Sequence, residues 1–196
     1  MRLVRLGILG SGKGTNCRAI LKNITSGALT AEVRVVISDV FDAPILDIAR
    51  EFSIPNAYLP PGRFRTRLEP QAEAALVRML RDADVQLVVL AGFMRVLKSP
   101  MLDAFPRRIV NIHPSLLPKF PGIEAWKQAL VAAEKVTGCT VHYVDEKIDH
   151  GDVIARREVP ILPNDTPESL HARIQIAEHE LYPAVIGRIC RDFSTA

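Results

Sequence analysis

Short apolar runs rich in β-branched residues alternate with amphipathic stripes along the chain, and that alternation leaves few architectures open. Residues 3–9, flanked and interrupted by Arg2 and Arg5, are long enough for a buried strand and too short for a helix. Residues 32–38, 57–59, 87–90, 109–113, 140–144 and 153–159 read as strands in the same way. Helical stripes fall between them: around Ala19, Ile20, Leu21 and Ile24, at 42–52, at 67–82, briefly at 101–105 behind Ser99-Pro100, and at 125–136. Thr166-Pro167-Glu168 starts a last helix that runs to about Arg188 with Pro183 inside it. Strands alternating with helices predict parallel βαβ units joined by right-handed crossovers. A turn around Asp149-His150-Gly151 makes the last two runs an antiparallel hairpin at a sheet edge. The expected fold is therefore α/β: a single Rossmann-like domain over residues 1–196, with a mostly parallel sheet flanked by helices and an antiparallel edge hairpin near the C-terminus.

Composition narrows the function classes. The chain has 196 residues, enough for one substantial core, and is 48% hydrophobic and 6% aromatic. Its formal charge of +3 is spread along the chain, with Arg63, Arg65 and Arg67 the tightest basic cluster, so no stripe suited to nucleic acid is present. No window has the length and apolarity of a membrane span, and no leader pattern opens the sequence. Cys17, Cys139 and Cys190 lack the spacing of a zinc or redox motif and read as reduced packing residues. The expectation is a cytoplasmic protein that handles small molecules, with monomer and homodimer equally open.

The first strand runs into Gly10-Ser11-Gly12-Lys13-Gly14-Thr15-Asn16 and then a helix. Such a turn presents backbone N–H groups at a helix N-terminus, where an anion is favoured. The spacing meets neither the dinucleotide fingerprint nor the P-loop. A phosphate site and a turn that simply needs glycine dihedrals both fit.

The second candidate is the stretch from Ile109 to Pro118, where an apolar strand ends in Asn111-Ile112-His113-Pro114. Alternation places Asn111 and His113 on one side of the strand, and the proline ends regular structure just after the histidine. A lone histidine at a strand end is more often a hydrogen-bonded structural group. Here an amide shares its face, and a loop downstream carries Asp145, Glu146, Asp149 and Asp152. Imidazole, amide and carboxylate together suit addition to a carbonyl: proton transfer, oxyanion stabilisation and a charge partner. Ser115 lacks the nucleophile-elbow frame, which leaves direct attack by a substrate nucleophile. His113, His142, Asp149, His150 and Asp152 are metal-ligand types without a tight ligand spacing, so no metal is expected. Gln175 and Glu178 share a face of the last helix, either as a solvated polar patch or as the border of a pocket.

Taken together, these motifs resemble the folate-dependent formyltransferase family. Ser11-Gly12-Lys13-Gly14-Thr15-Asn16 is similar to its phosphate loop, and Leu90-Ala91-Gly92-Phe93-Met94-Arg95 to its folate-side strand end. The stretch from Asn111 to Pro118 is similar to its central motif, and residues 138–154 to its signature loop. The resemblance runs nearly end to end. It implies transfer of the formyl group of 10-formyltetrahydrofolate to the amine of glycinamide ribonucleotide, a step of purine synthesis. Asn111, His113 and Asp149 would be catalytic: His113 as imidazolium and Asn111 on the oxyanion, Asp149 in the proton relay. Gly14, Thr15, Asn16, Gln175 and Glu178 would hold the ribonucleotide. Arg67, Met94, Arg95, Val96, Leu97, Asn111, Asp145 and Asp149 would line the site for 10-formyltetrahydrofolate.

Two positions depart from the family pattern. Lys13 stands where a small polar residue is common, and His150-Gly151-Asp152 replaces a Gly-Pro ending. A formyltetrahydrofolate hydrolase would share the trio, but normally adds an N-terminal regulatory domain and would not need Gln175 and Glu178. A methionyl-tRNA formyltransferase would need a further C-terminal domain. A non-catalytic nucleotide-binding module would not need the trio.

Overall fold

A computed structural model of the chain describes residues 3–195; Arg2, which flanks the first apolar run, lies outside them. Strands β1 (Arg5–Leu9), β2 (Glu32–Ser38), β3 (Asn56–Tyr58), β4 (Leu87–Leu90), β5 (Ile109–His113), β6 (Val136–Tyr143) and β7 (Val153–Pro160) form one sheet in the order β3-β2-β1-β4-β5-β6-β7. Pairing is parallel from β3 through β5 and antiparallel across β5, β6 and β7. Helices α1 (Thr15–Thr25), α2 (Pro44–Glu51), α3 (Pro70–Asp82), α4 (Ser99–Ala104), α5 (Ala125–Val131) and α6 (Pro167–Thr195) complete the α/β domain.

Alternation along the strands divides the core in two. Leu6, Ile8, Val36, Leu87, Val89, Val110 and Ile112 pack with residues of α1, α2 and α6 on one face. Leu9, Val35, Ile37, Val88, Leu90 and Ile109 pack with Leu76, Leu80 and Met101 of α3 and α4 on the other. The central strands are buried on both faces, which is why they read as continuous apolar runs. The chain runs outward from β1 to β2 and β3, then returns to place β4 on the other side of β1. That reversal opens a crevice at the C-terminal ends of β1 and β4, where open α/β sheets bind ligands.

Backbone bonds hold the two lips of the crevice together. Ala91 donates from its N–H to Leu9 O at 2.7 Å, and Ser11 from its N–H to Gly92 O at 3.0 Å. Fully buried Tyr182 of α6 bridges β4 and β5, its hydroxyl 2.9 Å from Leu90 O and 3.0 Å from Val110 O.

Several boundaries differ from the sequence pattern. The helix expected over 125–136 ends at Val131, where the chain turns with Ala133 at φ 50°, and the strand expected over 140–144 starts earlier and spans Val136–Tyr143. The helix expected from residue 67 begins at Pro70, and Arg67 instead forms a single parallel bridge with Val96. The last helix continues to Thr195. The β6–β7 connection is a folded loop over 144–152, not a tight turn.

Candidate active site

A cleft of about 500 Å³ crosses the C-terminal ends of β1, β4 and β5. At its centre, β5 delivers Asn111 and His113 from alternate positions, as the period of the strand requires. His113 is buried, with Nδ1 3.3 Å from Asp149 Oδ2 and Nε2 2.8 Å from Phe120 O. Both neighbours are acceptors, so the ring is held between a carboxylate and a carbonyl.

Asp149 reaches this position from a left-handed backbone conformation, φ 51°. Its Oδ2 also accepts the Gly122 N–H at 2.8 Å, so it ties the loop 144–152 to residues 120–124 across the cleft. Within its own loop, Asp145 accepts from the Lys147 N–H and lies 2.9 Å from His150 Nδ1. Burial works against ionisation of Asp145, but the bonds from His150 and Lys147 outweigh it and hold the carboxyl below its ordinary range. A side chain at Gly151 would put its Cβ 1.9 Å from Tyr143 O, so glycine is required for this close approach. The His150-Gly151-Asp152 departure thus forms internal ties for the loop, reinforced by an Arg107–Asp152 ion pair at 2.7 Å.

His142 of β6 faces Asn111 in the antiparallel register. Its Nδ1 lies 2.8 Å from Tyr143 O, which places the proton there. Burial lowers its pKa, so the ring stays neutral and Nε2 accepts from Asn111 Nδ2 at 3.2 Å. One amide N–H of Asn111 is thereby committed and the other is left for a ligand.

At one end of the cleft stands the glycine-rich turn. Gly14 caps α1 at φ 68°, and a Cβ there would lie 2.8 Å from Ile45. Thr15 and Asn16 follow as the first helical residues, and Gly14, Thr15 and Asn16 all line the cleft. Asn16 Nδ2 donates to Glu178 Oε2 at 2.9 Å, while Asn16 Oδ1 is buried with no partner among the described residues. Burial pushes the Glu178 carboxyl up to about 7, against a smaller opposing effect of the Asn16 bond. Gln175 lines the same end, one turn earlier on α6.

At the other end, Met94, Val96, Leu97 and Asp145 line the cleft with Phe93 and Ile148. Arg95 also borders it, but its guanidinium is engaged. Nε is 2.6 Å from Asp39 Oδ2, and Nη1 donates at 2.6 Å to the carbonyls of Phe64 and Arg65. Ser11 donates its hydroxyl to Asp39 and accepts the Met94 N–H at 2.8 Å, which joins the ends of β1, β2 and β4. Arg95 is thus a structural brace at this lip. Arg67 is exposed, and its guanidinium lies 4.2 Å from the Phe64 ring centroid. It borders a neighbouring cavity with Arg63 and Lys98; Thr66 takes the place in the cleft.

Sequence reasoning left His142 with no assigned role, and it missed the Ser11–Asp39–Arg95 brace and the carbonyl of Phe120. The His142 signal was available, since its strand parity matches Thr140 and Val144. The other two depend on loops that no periodicity predicts. Among the described residues no group of three or more His, Cys, Asp or Glu is arranged to hold a metal, and no helix is long and apolar enough to cross a membrane.

The formyl transferase family matches residues 4–186. The phosphoribosylglycinamide formyltransferase of Bacillus subtilis is 38% identical over 185 residues, 94% of this chain and 94% of that protein. The trifunctional purine biosynthetic protein adenosine-3 of Drosophila melanogaster is 43% identical over 96% of this chain, which spans only 14% of that protein. The crystal structure of glycinamide ribonucleotide transformylase 1 from Symbiobacterium toebii superposes with a TM-score of 0.93 at 45% identity, covering 97% of this chain and 89% of that one. An imidazole between a carboxylate and a carbonyl, in a cleft at the sheet's switch point, occurs here in a chain similar to these proteins along nearly its whole length; the chain belongs to the formyl transferase family.

Proposed function

We propose that the protein transfers the formyl group of 10-formyltetrahydrofolate to the amine of glycinamide ribonucleotide, giving formylglycinamide ribonucleotide and tetrahydrofolate in purine synthesis in the cytoplasm. The observation that carries this reading is the placement of His113, Asp149 and Asn111 midway between two unlike cleft ends. One end is a glycine-rich turn with buried polar partners; the other exposes Met94 and Ile148. The first suits a phosphorylated sugar and the second a broad, flat heterocycle. The full-length relative named for this reaction supports the same assignment.

The amine attacks the formyl carbon and a tetrahedral alkoxide forms. The free N–H of Asn111 and the His113 imidazolium stabilise that oxyanion, His113 turning one donor from the Phe120 carbonyl. Asp149 holds the charge on His113 and relays the proton lost by the amine. Collapse breaks the bond from the formyl carbon to N10 of the folate, and N10 takes up a proton. Much of the rate comes from fixing both substrates in line.

The test is to incubate the protein with 10-formyltetrahydrofolate, with and without glycinamide ribonucleotide, and follow the folate product. Product is expected only when the ribonucleotide is present. Product without it would identify a hydrolase, and no product in either case a binding module.

A further inference from the structure

Trp126 of α5 and His171 of α6 lie face to face, their ring centroids 3.7 Å apart and their planes within 4°. Both are half-buried and line the cleft beside Lys13 and Gln175. Trp126 packs against the core, so the indole is the fixed plate and the imidazole lies against it. A stack this close orients the ring edge without using either ring nitrogen. Gln175 Nε2 can donate to His171 Nε2 only weakly, at 3.5 Å, a contact at the limit of a hydrogen bond that a stronger partner of the imidazole readily replaces. At the same end, buried Asn16 keeps an unpartnered Oδ1. Polar groups set around a cleft with their bonding capacity unspent point to a ligand.

We propose that His171, held flat on Trp126, is a ligand of the ribonucleotide's 5′-phosphate, acting with Lys13 as a pair of side-chain cations opposite the backbone N–H groups of residues 12–16. The proposal rests on the ribonucleotide reading above and assigns the phosphate end of that site. In the protein without ligand, burial and then the Lys13 ammonium both hold His171 below its ordinary pKa. A phosphate dianion against the turn neutralises Lys13 and gives the imidazole an anionic neighbour. The ring then takes a proton from solvent and donates a charge-assisted hydrogen bond. Lys13 is the charged group that acts on the ring; of the acidic groups on α5 and α6 at this end, Glu124 pairs with Lys127 and Glu178 is tied to Asn16. None of them supplies His171 with a fixed counter-ion.

The test combines kinetics and titration on the whole protein. Formyl transfer is measured at saturating 10-formyltetrahydrofolate for the natural sequence, His171→Asn, Trp126→Phe and Trp126→Ala. In parallel, the His171 imidazole signal, assigned by its loss in His171→Asn, is titrated with pH in the presence of ribose 5-phosphate or ribose. His171→Asn is expected to raise KM for the ribonucleotide about tenfold, with kcat and KM for the folate within about twofold. The penalty should shrink from pH 6.5 to pH 8.5. Trp126→Ala should follow His171→Asn, and Trp126→Phe should retain most of the affinity. Ribose 5-phosphate should raise the His171 pKa, and ribose should not. An unchanged KM in His171→Asn, or an imidazole titration indifferent to ribose 5-phosphate, overturns the proposal. Failure of the formyl-transfer reading is separate: the natural sequence then makes no ribonucleotide-dependent product, while the ribose 5-phosphate titration still decides the phosphate site.

Discussion

The two ends of the cleft are built on opposite principles. At the glycine-rich end, polar side chains are paired: buried Asn16 with Glu178, and half-buried Trp126 stacked on His171. At the other end, Met94 is 67% exposed and Ile148 59%, while the polar groups nearby, Arg95 and Asp39, are spent on bracing the backbone. A buried polar pair reads a compact charged ligand with little tolerance for displacement, since any group left unpaired costs about 1–3 kcal/mol. Exposed apolar side chains accept a large flat ligand through area, at about 25 cal/mol per Å² covered. The centre belongs to neither end: His113 and Asp149 are held by each other and by the 120–124 loop.

Removing the centre should separate chemistry from binding. His113→Ala and Asp149→Asn are each expected to lower kcat for formyl transfer by about a thousandfold or more, with ribose 5-phosphate affinity and the fold retained. Single-turnover rates together with a binding isotherm check this. Near-normal turnover in either variant would sink the mechanism.

The next largest effect tests whether the polar end carries strain. Glu178 keeps its proton to about pH 7 in the folded chain, against an ordinary value of 4.5. The unfolded chain therefore loses this proton first as pH rises from 4.5, and the folded state is progressively disfavoured until both have lost it above pH 7. Stability from this group is fully present below pH 4.5 and absent by about pH 8, a change of up to about 3 kcal/mol. Glu178→Gln carries no such proton. Its urea-unfolding free energy should gain on that of the natural sequence by that amount between pH 5 and pH 8. Parallel pH curves for the two proteins would contradict the burial argument.

How much of this was legible in sequence depends on the range of the interaction. The sheet, its mostly parallel pairing with an antiparallel edge and the shared side of Asn111 and His113 follow from local periodicity and the βαβ alternation. The end of α5 did not, because Ala129, Ala132, Ala133 and Val136 keep a helical spacing in sequence while the backbone at Ala133 leaves the helical region. Asp149 could be named from its motif, but not the left-handed turn that swings it onto His113. Arg95 and Arg67 look equally available as cations in sequence. One is consumed by Asp39 and two carbonyls, and the other borders a separate cavity. The Trp126–His171 stack joins residues on two helices through tertiary packing alone, which no local pattern encodes.

His142 sharpens the comparison from the centre outward. Its neutral Nε2 takes one N–H of Asn111 and so fixes which way the amide points. His142→Phe keeps the ring's bulk but frees the amide. It is expected to lower kcat about tenfold through lost orientation of one oxyanion donor, with little change in either KM. The loss should be flat from pH 7 to pH 9, because the ring it removes is already neutral there. A tenfold loss confined to one side of that range would mean that His142 itself titrates during catalysis.

The smallest effect belongs to the apolar end, and its smallness is the point. Met94→Ala and Ile148→Ala each remove part of a surface that is exposed before the folate arrives, so each costs only the transfer free energy of the area that the ligand covers, about 1 kcal/mol. KM for 10-formyltetrahydrofolate should rise a few-fold in each variant, and the double variant should be close to the product of the two, because no buried polar group is left unpaired. The ribonucleotide KM should not move. A loss far beyond additivity in the double variant would mean that this end is also a preorganised pocket, and the contrast between the two ends would then fall.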